Sequence, residues 1–579
     1  MLAETGVPGA GIALVRQSGV EWAGGVGLAD RDRGTPVTAE THFRAGSIAK
    51  TFIAMALVQL AEDGELDLDA PVAEVAPQVD IDNPWDGTDP VRIIHLLQHT
   101  AGFDDMHFNE TYNLADPPEL PLEDVLKINP RSRIVRWRPG TRMSYANPGY
   151  GVAALVLEQA TGRKFEDVIQ QKILDPIGMT ASSFVLSKTD EALLARGYSE
   201  KGGRPVPYTQ IYLRPAGNLH TTPADLGKFV HLLLNWGETP EQLVVDPEYL
   251  SNMEHPRTTL ASRAGLLNGY GSAIAANMKE PFPMLGHDGG IDGFISSYAY
   301  SPARDVGYVV LLNATYSREA MDRISSLAIR YLKADVEPPA KPQAKVAVDV
   351  LRSYEGYYQD ASPRLQATAF IERLISGRTI AVDGDVLTVT RVFGNRSRLI
   401  PVSESLFRDE RDVDATYAFT TDQSGTMVLA GATYAERVPR WRSEAVRWPV
   451  LLSCGILLTP LAAAILWLIF IRRARPVGFW WLKASLLLCP AALLMPVAGF
   501  SFAPGTQLGV LNVWTALIFL GPLTLPFAAA LSVFFTVDAW TKRASRSLRG
   551  YAAIVSMAAL VVSAYALSWG IVGFRPWNF

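Results

Sequence analysis

The chain has 579 residues, a formal net charge of −5, 19% charged residues and 10% aromatic residues, a composition that excludes a disordered polymer. Trp448–Phe579 holds one acid, Asp538, against nine bases, a net +8, so the first 447 residues carry −13. An acidic front without a basic stripe argues against nucleic-acid binding. Both cysteines, Cys454 and Cys489, lie in the apolar tail, which leaves the front without a disulfide framework or a cysteine zinc site.

Met1–Arg16 (MLAETGVPGAGIALVR) lacks a basic start, a long apolar run and a cleavage site, so it does not read as a secretory signal. For an exported front the expectation is that the natural start lies upstream of Met1. Beyond Arg44-Ala-Gly-Ser47-Ile-Ala-Lys50, the spacing of Ile53, Leu57 and Leu60 predicts a helix ending near Asp63-Gly64. Ser47 then sits at the helix start, one turn from Lys50 and on the same face. A basic group there takes the hydroxyl proton or eases alkoxide formation, and the helix dipole favours the developing charge. The plainer reading is an N-cap serine followed by a solvated lysine.

His95 and His99 have the i, i+4 spacing of helical metal ligands, but no third ligand accompanies them. The acidic run Asp80–Asp89 (DIDNPWDGTD) lacks an EF-hand pattern. No metal and no cofactor is called for.

In Trp137–Tyr150, Pro148 suits the first turn of a helix over Gly151–Ala160, with Asn147 as its cap. The functional alternative has this loop presenting the Tyr145 phenol and the Asn147 carboxamide to one pocket. A phenol near cations loses its proton well below its ordinary pKa of about 10 and serves as a base. The carboxamide would hold a substrate amide. Further on, Gly286-His287-Asp288-Gly289-Gly290 reads as a glycine-rich strand edge before a hairpin of Ile295–Tyr300 and Val306–Asn313. Gly289 and Gly290 let an extended backbone approach closely. An N–H from this edge and one from Ser47 would make an oxyanion hole. By itself His287 is equally readable as a structural loop histidine.

Val336–Lys345 (VEPPAKPQAK) reads as a stiff linker. After it, short strands such as Leu365–Ile371 and Arg378–Val382 are expected, with Asp383-Gly384-Asp385 joining the latter to Val386–Thr390 as a hairpin. This predicts a small antiparallel β sandwich or barrel. Four apolar runs follow, about 448–471, 479–502, 510–537 and 551–574, each long enough to cross a bilayer. Prolines 460, 490, 496, 522 and 526 fall inside them, which membrane helices tolerate. Lys483, near the start of the second run, is expected to snorkel to the interface. Arg472, Arg473 and Arg475 after the first run, and Lys542, Arg543, Arg546 and Arg549 after the third, put those loops inside and both termini outside. Arg437, Arg440, Arg442 and Arg447 weaken that bias.

Taken together, S-x-x-K at Ser47, Y-x-N at Tyr145 and H-x-G at His287 resemble, in order and spacing, the serine β-lactamase-related hydrolases. That group contains class C β-lactamases, DD-carboxypeptidases, D-aminopeptidases and related esterases. Val7–Ala13, Asp63–Val72, Leu96–Gly102, Pro176–Met179 and Gly217–Asp225 are similar to the family as well, and the resemblance spans about residues 5–333. It implies an α+β domain over 1–335, an antiparallel sheet flanked by helices with a helical subdomain. The Pro-rich linker at 336–346 follows, then a small β domain at 347–440 that resembles appended lipocalin-like domains. A four-helix membrane domain over 447–579 completes the chain. The resemblance also implies roles: Ser47 as nucleophile, Lys50 and Tyr145 sharing the base role, and Asn147, His287, Gly289 and Gly290 binding substrate, with the N–H groups of Ser47 and Gly290 at the oxyanion. Many β-lactamases carry lysine where His287 stands. A neutral imidazole offers a substrate carboxylate less charge, which resembles the aminopeptidase and esterase branches more.

The expectation is a membrane-anchored serine hydrolase. It acts on a small-molecule or peptide amide or ester, with D-residue peptides or β-lactams among the candidates, and faces the periplasm or the cell exterior. The alternative is a membrane-tethered, penicillin-binding-type sensor that is acylated but turns over poorly.

Overall fold

Period-two alternation of apolar residues sorts the central sheet into two buried faces. Strands β1 (Gly9–Arg16), β2 (Gly19–Asp30), β3 (Thr35–Pro36), β4 (Ala275–Asn277), β5 (Met284–Ile291), β6 (Phe294–Ser301) and β7 (Val306–Leu312) pair antiparallel in the order β3-β2-β1-β7-β6-β5-β4. Ala13, Val15, Val309 and Leu311 face one core, and Ala10, Ile12, Val310 and Leu312 face the other. On the first side lie the Ser47 helix α1 (Ala49–Glu62), the helix α2 (Asn147–Thr161) and α3 (Pro223–Leu234). On the second lies α4 (Arg318–Leu332). Both strands of the expected hairpin are present as β6 and β7, and the glycine-rich stretch is itself strand β5. Because β4 pairs only with Met284–Gly286, the other edge of β5 is open from His287 to Gly290.

The computed structural model describes residues 1–279, 281–332, 339–431, 433–470 and 479–579. Residues 336–338 of the expected linker and the basic loop with Arg472, Arg473 and Arg475 lie outside the described residues. Two compact units form. One is Met1–Met106, Glu110–Leu365 and Arg378–Arg437, and the other is His107–Asn109, Gln366–Gly377 and Val438–Phe579.

The first unit includes a closed eight-stranded antiparallel barrel: β8 (Gly356–Asp360), β9 (Arg378–Asp383), β10 (Val386–Arg391), β11 (Arg396–Pro401), β12 (Leu406–Asp409), β13 (Tyr417–Thr421), β14 (Met427–Gly431) and β15 (Tyr434–Arg437). Closure pairs β8 with β15, Tyr358 opposite Arg437. Tyr358, Leu387, Leu399, Phe407, Phe419 and Leu429 fill the interior. The hairpin forms as expected, with Asp383 opposite Val386 and Gly384 at φ +68°. Leu365–Ile371, expected as a strand, is not one. Residues 366–368 form a 3-10 turn leading into α5 (Ala369–Ile375). Ala369, Glu372, Arg373 and Leu374 are helix formers. Phe370 and Leu374, four apart, share one face, which packs on Val450 and Tyr565 in the second unit.

The second unit is dominated by α6 (Arg440–Phe470), α7 (Trp480–Phe502), α8 (Val513–Thr541) and α9 (Arg546–Ser568), four helices long and apolar enough to cross a membrane. The last ends at Ser568, six residues short of the expected 574. Gly499 permits close packing of α7 on α8, since a Cβ there would stand 2.6 Å from the Trp514 carbonyl oxygen. Arg447, 1% exposed, donates from Nε to the Leu374 carbonyl and from Nη2 to that of Ser376, closing the end of α5.

Candidate active site

Ser47 lies on a single 3-10 turn, Gly46–Ile48, that feeds α1; it caps nothing. This turn is pressed against the open edge of β5. Gly46 adopts φ +55°, and a Cβ there would lie 2.7 Å from the Gly290 nitrogen. A Cβ on Gly289 would meet the Ala45 carbonyl oxygen at 2.0 Å. The glycines predicted to allow close approach therefore first serve the protein's own backbone, and they bring the Ser47 turn up against Gly289 and Gly290. Gly290 itself has open space beside it.

Lys50 lies one turn into the helix and is completely buried. Its amine donates to Ser47 Oγ at 3.1 Å and to the Ala216 carbonyl at 2.6 Å. Burial pushes its pKa well below the lysine range, and the neighbouring Arg364 charge adds to that while Asp105 opposes it. That shift favours the neutral amine, whose lone pair can take the serine proton.

Tyr145 sits in the loop before α2, with its ring 5.1 Å from Lys50 Nζ and its phenol hydrogen-bonded with the Ser47 hydroxyl. His99 builds this loop. Its φ is +53°, its carbonyl accepts from Ser144 N and its Nδ1 accepts from Ala146 N, so it bonds on both sides of Tyr145. The two rings lie 4.0 Å apart. This gives His99 a structural task in place of metal ligation, and His95 Nδ1 likewise accepts from Arg92 N.

The expectation that nearby cations pull the phenol down is not met: burial pushes Tyr145 well above the tyrosine range. Lys50, 5.1 Å from the ring, is itself pushed toward its neutral form, and Arg364 lowers the phenol less than burial raises it.

Asn147 is the first residue of α2, and Ala146 takes the cap position. The expected cap reading therefore fails, because the Asn147 backbone N–H and Nδ2 both go to Asp105 Oδ1, at 2.9 and 2.8 Å. His287 is 7% exposed. Its Nδ1 donates to the Asp288 carbonyl at 2.6 Å, so Nε2 accepts from the Tyr270 hydroxyl at 2.8 Å. Burial pushes its pKa down to about 4, leaving a neutral imidazole.

Ser47, Tyr145, His287, Gly289 and Gly290 line one cleft of about 540 Å³ together with Tyr270 and Arg364. Lys50 lies beneath it, and Asn147 is tied back to Asp105. Sequence reasoning missed Tyr270, Asp105 and Arg364. Asp105 follows the family-like Leu96–Gly102 stretch closely enough to have been a candidate. Tyr270 and Arg364 carry no local signal.

A serine one turn from a buried lysine, a tyrosine on the facing loop and a glycine-rich strand edge thus meet in one cleft of a β-lactamase/transpeptidase-like fold. The Beta-lactamase family model matches residues 1–330, more than half of the chain, and the chain belongs to that family.

Among its relatives, Protein flp of Staphylococcus aureus strain N315 is 25% identical over 339 residues, covering 56% of this chain and 64% of the relative. The chain thus spans less than two thirds of the flp proteins it matches. Penicillin-binding protein 4 of Amycolatopsis lactamdurans is 26% identical over 369 residues, covering 60% of this chain and 93% of the relative. The octameric penicillin-binding protein homologue from Pyrococcus abyssi superposes with a TM-score of 0.49 at 23% identity, over 75% of this chain and 97% of that one.

Proposed function

We propose that the chain is a membrane-anchored serine hydrolase that cleaves an amide or ester through an acyl-enzyme at Ser47. One observation carries the reading: the fully buried Lys50 amine, its pKa pushed well below the lysine range, lies within hydrogen-bond distance of Ser47 Oγ at 3.1 Å, at the mouth of a cleft edged by Gly290. When Ser47 Oγ attacks the acyl carbon, its proton passes to the Lys50 lone pair and the carbonyl π electrons move to oxygen. The N–H groups of Ser47 and Gly290 receive that oxyanion. Collapse breaks the bond to the leaving amine or alcohol, which takes a proton through Tyr145 from Lys50. Water then attacks the ester, giving its proton to the same pair and releasing the acid and the Ser47 hydroxyl. Tyr145 works here as a neutral proton conduit, in keeping with its raised pKa.

The neutral His287 supports substrates bound by backbone pairing along β5 over those that depend on a strong carboxylate contact at that position. Peptidase and esterase substrates, including D-residue peptides, fit this better than β-lactams. The name of the Amycolatopsis relative keeps penicillin-type acylation within the proposal. The four apolar helices support a membrane anchor, and the basic loops after the first and third favour a hydrolase unit outside the cytoplasm.

The test uses the full chain in detergent, with p-nitrophenyl esters, D-alanyl amides and a fluorophosphonate probe. Steady hydrolysis and labelling that Ser47→Ala abolishes are expected. Labelling that persists in Ser47→Ala places the nucleophile elsewhere, and a single burst of acylation without turnover replaces the hydrolase by the sensor reading.

A further inference from the structure

The barrel reaches into the Ser47 cleft. Between β8 and α5, the segment Ala361–Arg364 is bound by the loop that carries Tyr145. Arg142 Nη1 donates to the Ala361 carbonyl at 2.8 Å, and its guanidinium lies 4.0 Å over the Tyr434 ring of β15. The Pro363 carbonyl accepts from Arg136 Nη1 at 2.9 Å and from Ser144 Oγ at 3.2 Å. The Arg364 carbonyl accepts from Asp105 N at 3.2 Å. The Arg364 side chain then lies 4.6 Å over the Tyr145 ring, and its Nε donates to Asp105 Oδ2 at 2.6 Å. Among the described residues Nη1 and Nη2 make no hydrogen bond, and Arg364 lines the cleft with Ser47. Asp105 Oδ1 is the oxygen that holds Asn147.

We propose that Arg364, contributed by the barrel, is a positioning residue of the hydrolase site: it clamps Asp105, and through it Asn147, and lays a fixed positive charge over Tyr145. The inference rests on the Ser47 reading above and extends it, because it makes the barrel part of the active site.

The groups facing the phenol give this charge its weight. They are Lys50 from α1, His99 from beneath, Tyr150 from α2, Tyr270, His287 from β5, and the Asp105–Arg364 pair. Burial pushes Lys50, His99 and His287 toward their uncharged forms, and it pushes the Tyr150 and Tyr270 phenols upward. Asp288 and Arg318, paired with each other at 3.1 Å, also line the cleft, but of the ion pairs there it is Asp105–Arg364 that lies against the phenol. Asp105 raises the proton affinity of both Lys50 and Tyr145, and Arg364 lowers both. Without Arg364 the Asp105 carboxylate would act unopposed on either candidate base, in the same direction. The direction is the same whichever of the two accepts the serine proton.

Arg364 is largely exposed, with 59% of its side chain accessible, so its charge is screened and its removal leaves little packing to lose. Arg364→Gln keeps the length and a donor to Asp105 but removes the charge. Arg364→Lys keeps the charge. The rate of Ser47 labelling by a fluorophosphonate is measured on the full chain from about pH 5 to about pH 10. In Arg364→Gln the acid limb is expected to move up by about one pH unit, with about a tenfold slower reaction below it. Arg364→Lys is expected to return most of the limb position. A Gln profile superimposed on the unsubstituted one overturns the proposal. So does a Lys variant as slow as Gln with an unshifted limb, which would reduce Arg364 to packing. An unsubstituted chain that Ser47 does not label fails one step earlier, at the hydrolase reading, and takes this proposal with it.

Discussion

Replacing Lys50 with methionine tests the buried amine through stability instead of rate. In the folded protein Lys50 is 0% exposed and its pKa is pushed well below the lysine range. In the unfolded chain it returns to about 10.4. Between those two values the unfolded state binds one more proton at this position, so stability rises with pH, by up to about 1.4 kcal/mol per pH unit. The gain is lost as pH falls toward the folded value. Methionine fills a similar volume and exchanges no proton. The first unit contains about 420 residues. At about 2.1 cal/mol/K of unfolding entropy per residue, 1.4 kcal/mol corresponds to about 1.5 °C. From the unfolded value downward, until the folded value is reached, the Tm of the unsubstituted chain should therefore fall relative to Lys50→Met by up to about 1.5 °C per pH unit. Thermal unfolding in one detergent across a buffer series measures this. The variant also strands the Ala216 carbonyl, at about 1–3 kcal/mol, but that is an offset common to every pH. Parallel Tm curves would refute the reasoning, because a Lys50 that folds as ammonium has no lone pair for the serine proton.

Tyr145→Phe removes the conduit while keeping the ring on His99 and under Arg364. Turnover of a p-nitrophenyl ester should fall by about 10²–10⁴ with the Tm nearly unchanged, and an unaltered rate removes the phenol from the mechanism. Gly46→Ala forces a Cβ to within 2.7 Å of Gly290 N at φ +55°. A left-handed residue costs about 1–2 kcal/mol and overpacking about 1–3 kcal/mol, so chemical denaturation should show a loss of about 2–5 kcal/mol together with slower labelling. A variant as stable as the parent would mean that the turn and the strand are not in contact.

What the amino-acid string carries on its own is local period and local chemistry. The spacing of Ile53, Leu57 and Leu60 is enough for a helix behind Ser47, and the hairpin at Asp383–Val386 follows from its turn residues. Four long apolar runs make four long helices whatever surrounds them. The same local reasoning misassigned Leu365–Ile371, where the side chains serve an i, i+4 face directed at Val450 and Tyr565, which lie some 80 and 190 residues further on.

Tertiary structure alone decided the charges and the partnerships. The Lys50 pKa falls because the fold removes water from around it, and the phenol rises for the same reason, since desolvation depends on everything packed nearby. Asn147 leaves its cap role because Asp105 has come within 3 Å of it. Arg364 meets Asp105 across 259 residues of chain. No period in the sequence encodes that meeting; it exists because a barrel closes and its connecting segment is bound by the loop bearing Tyr145.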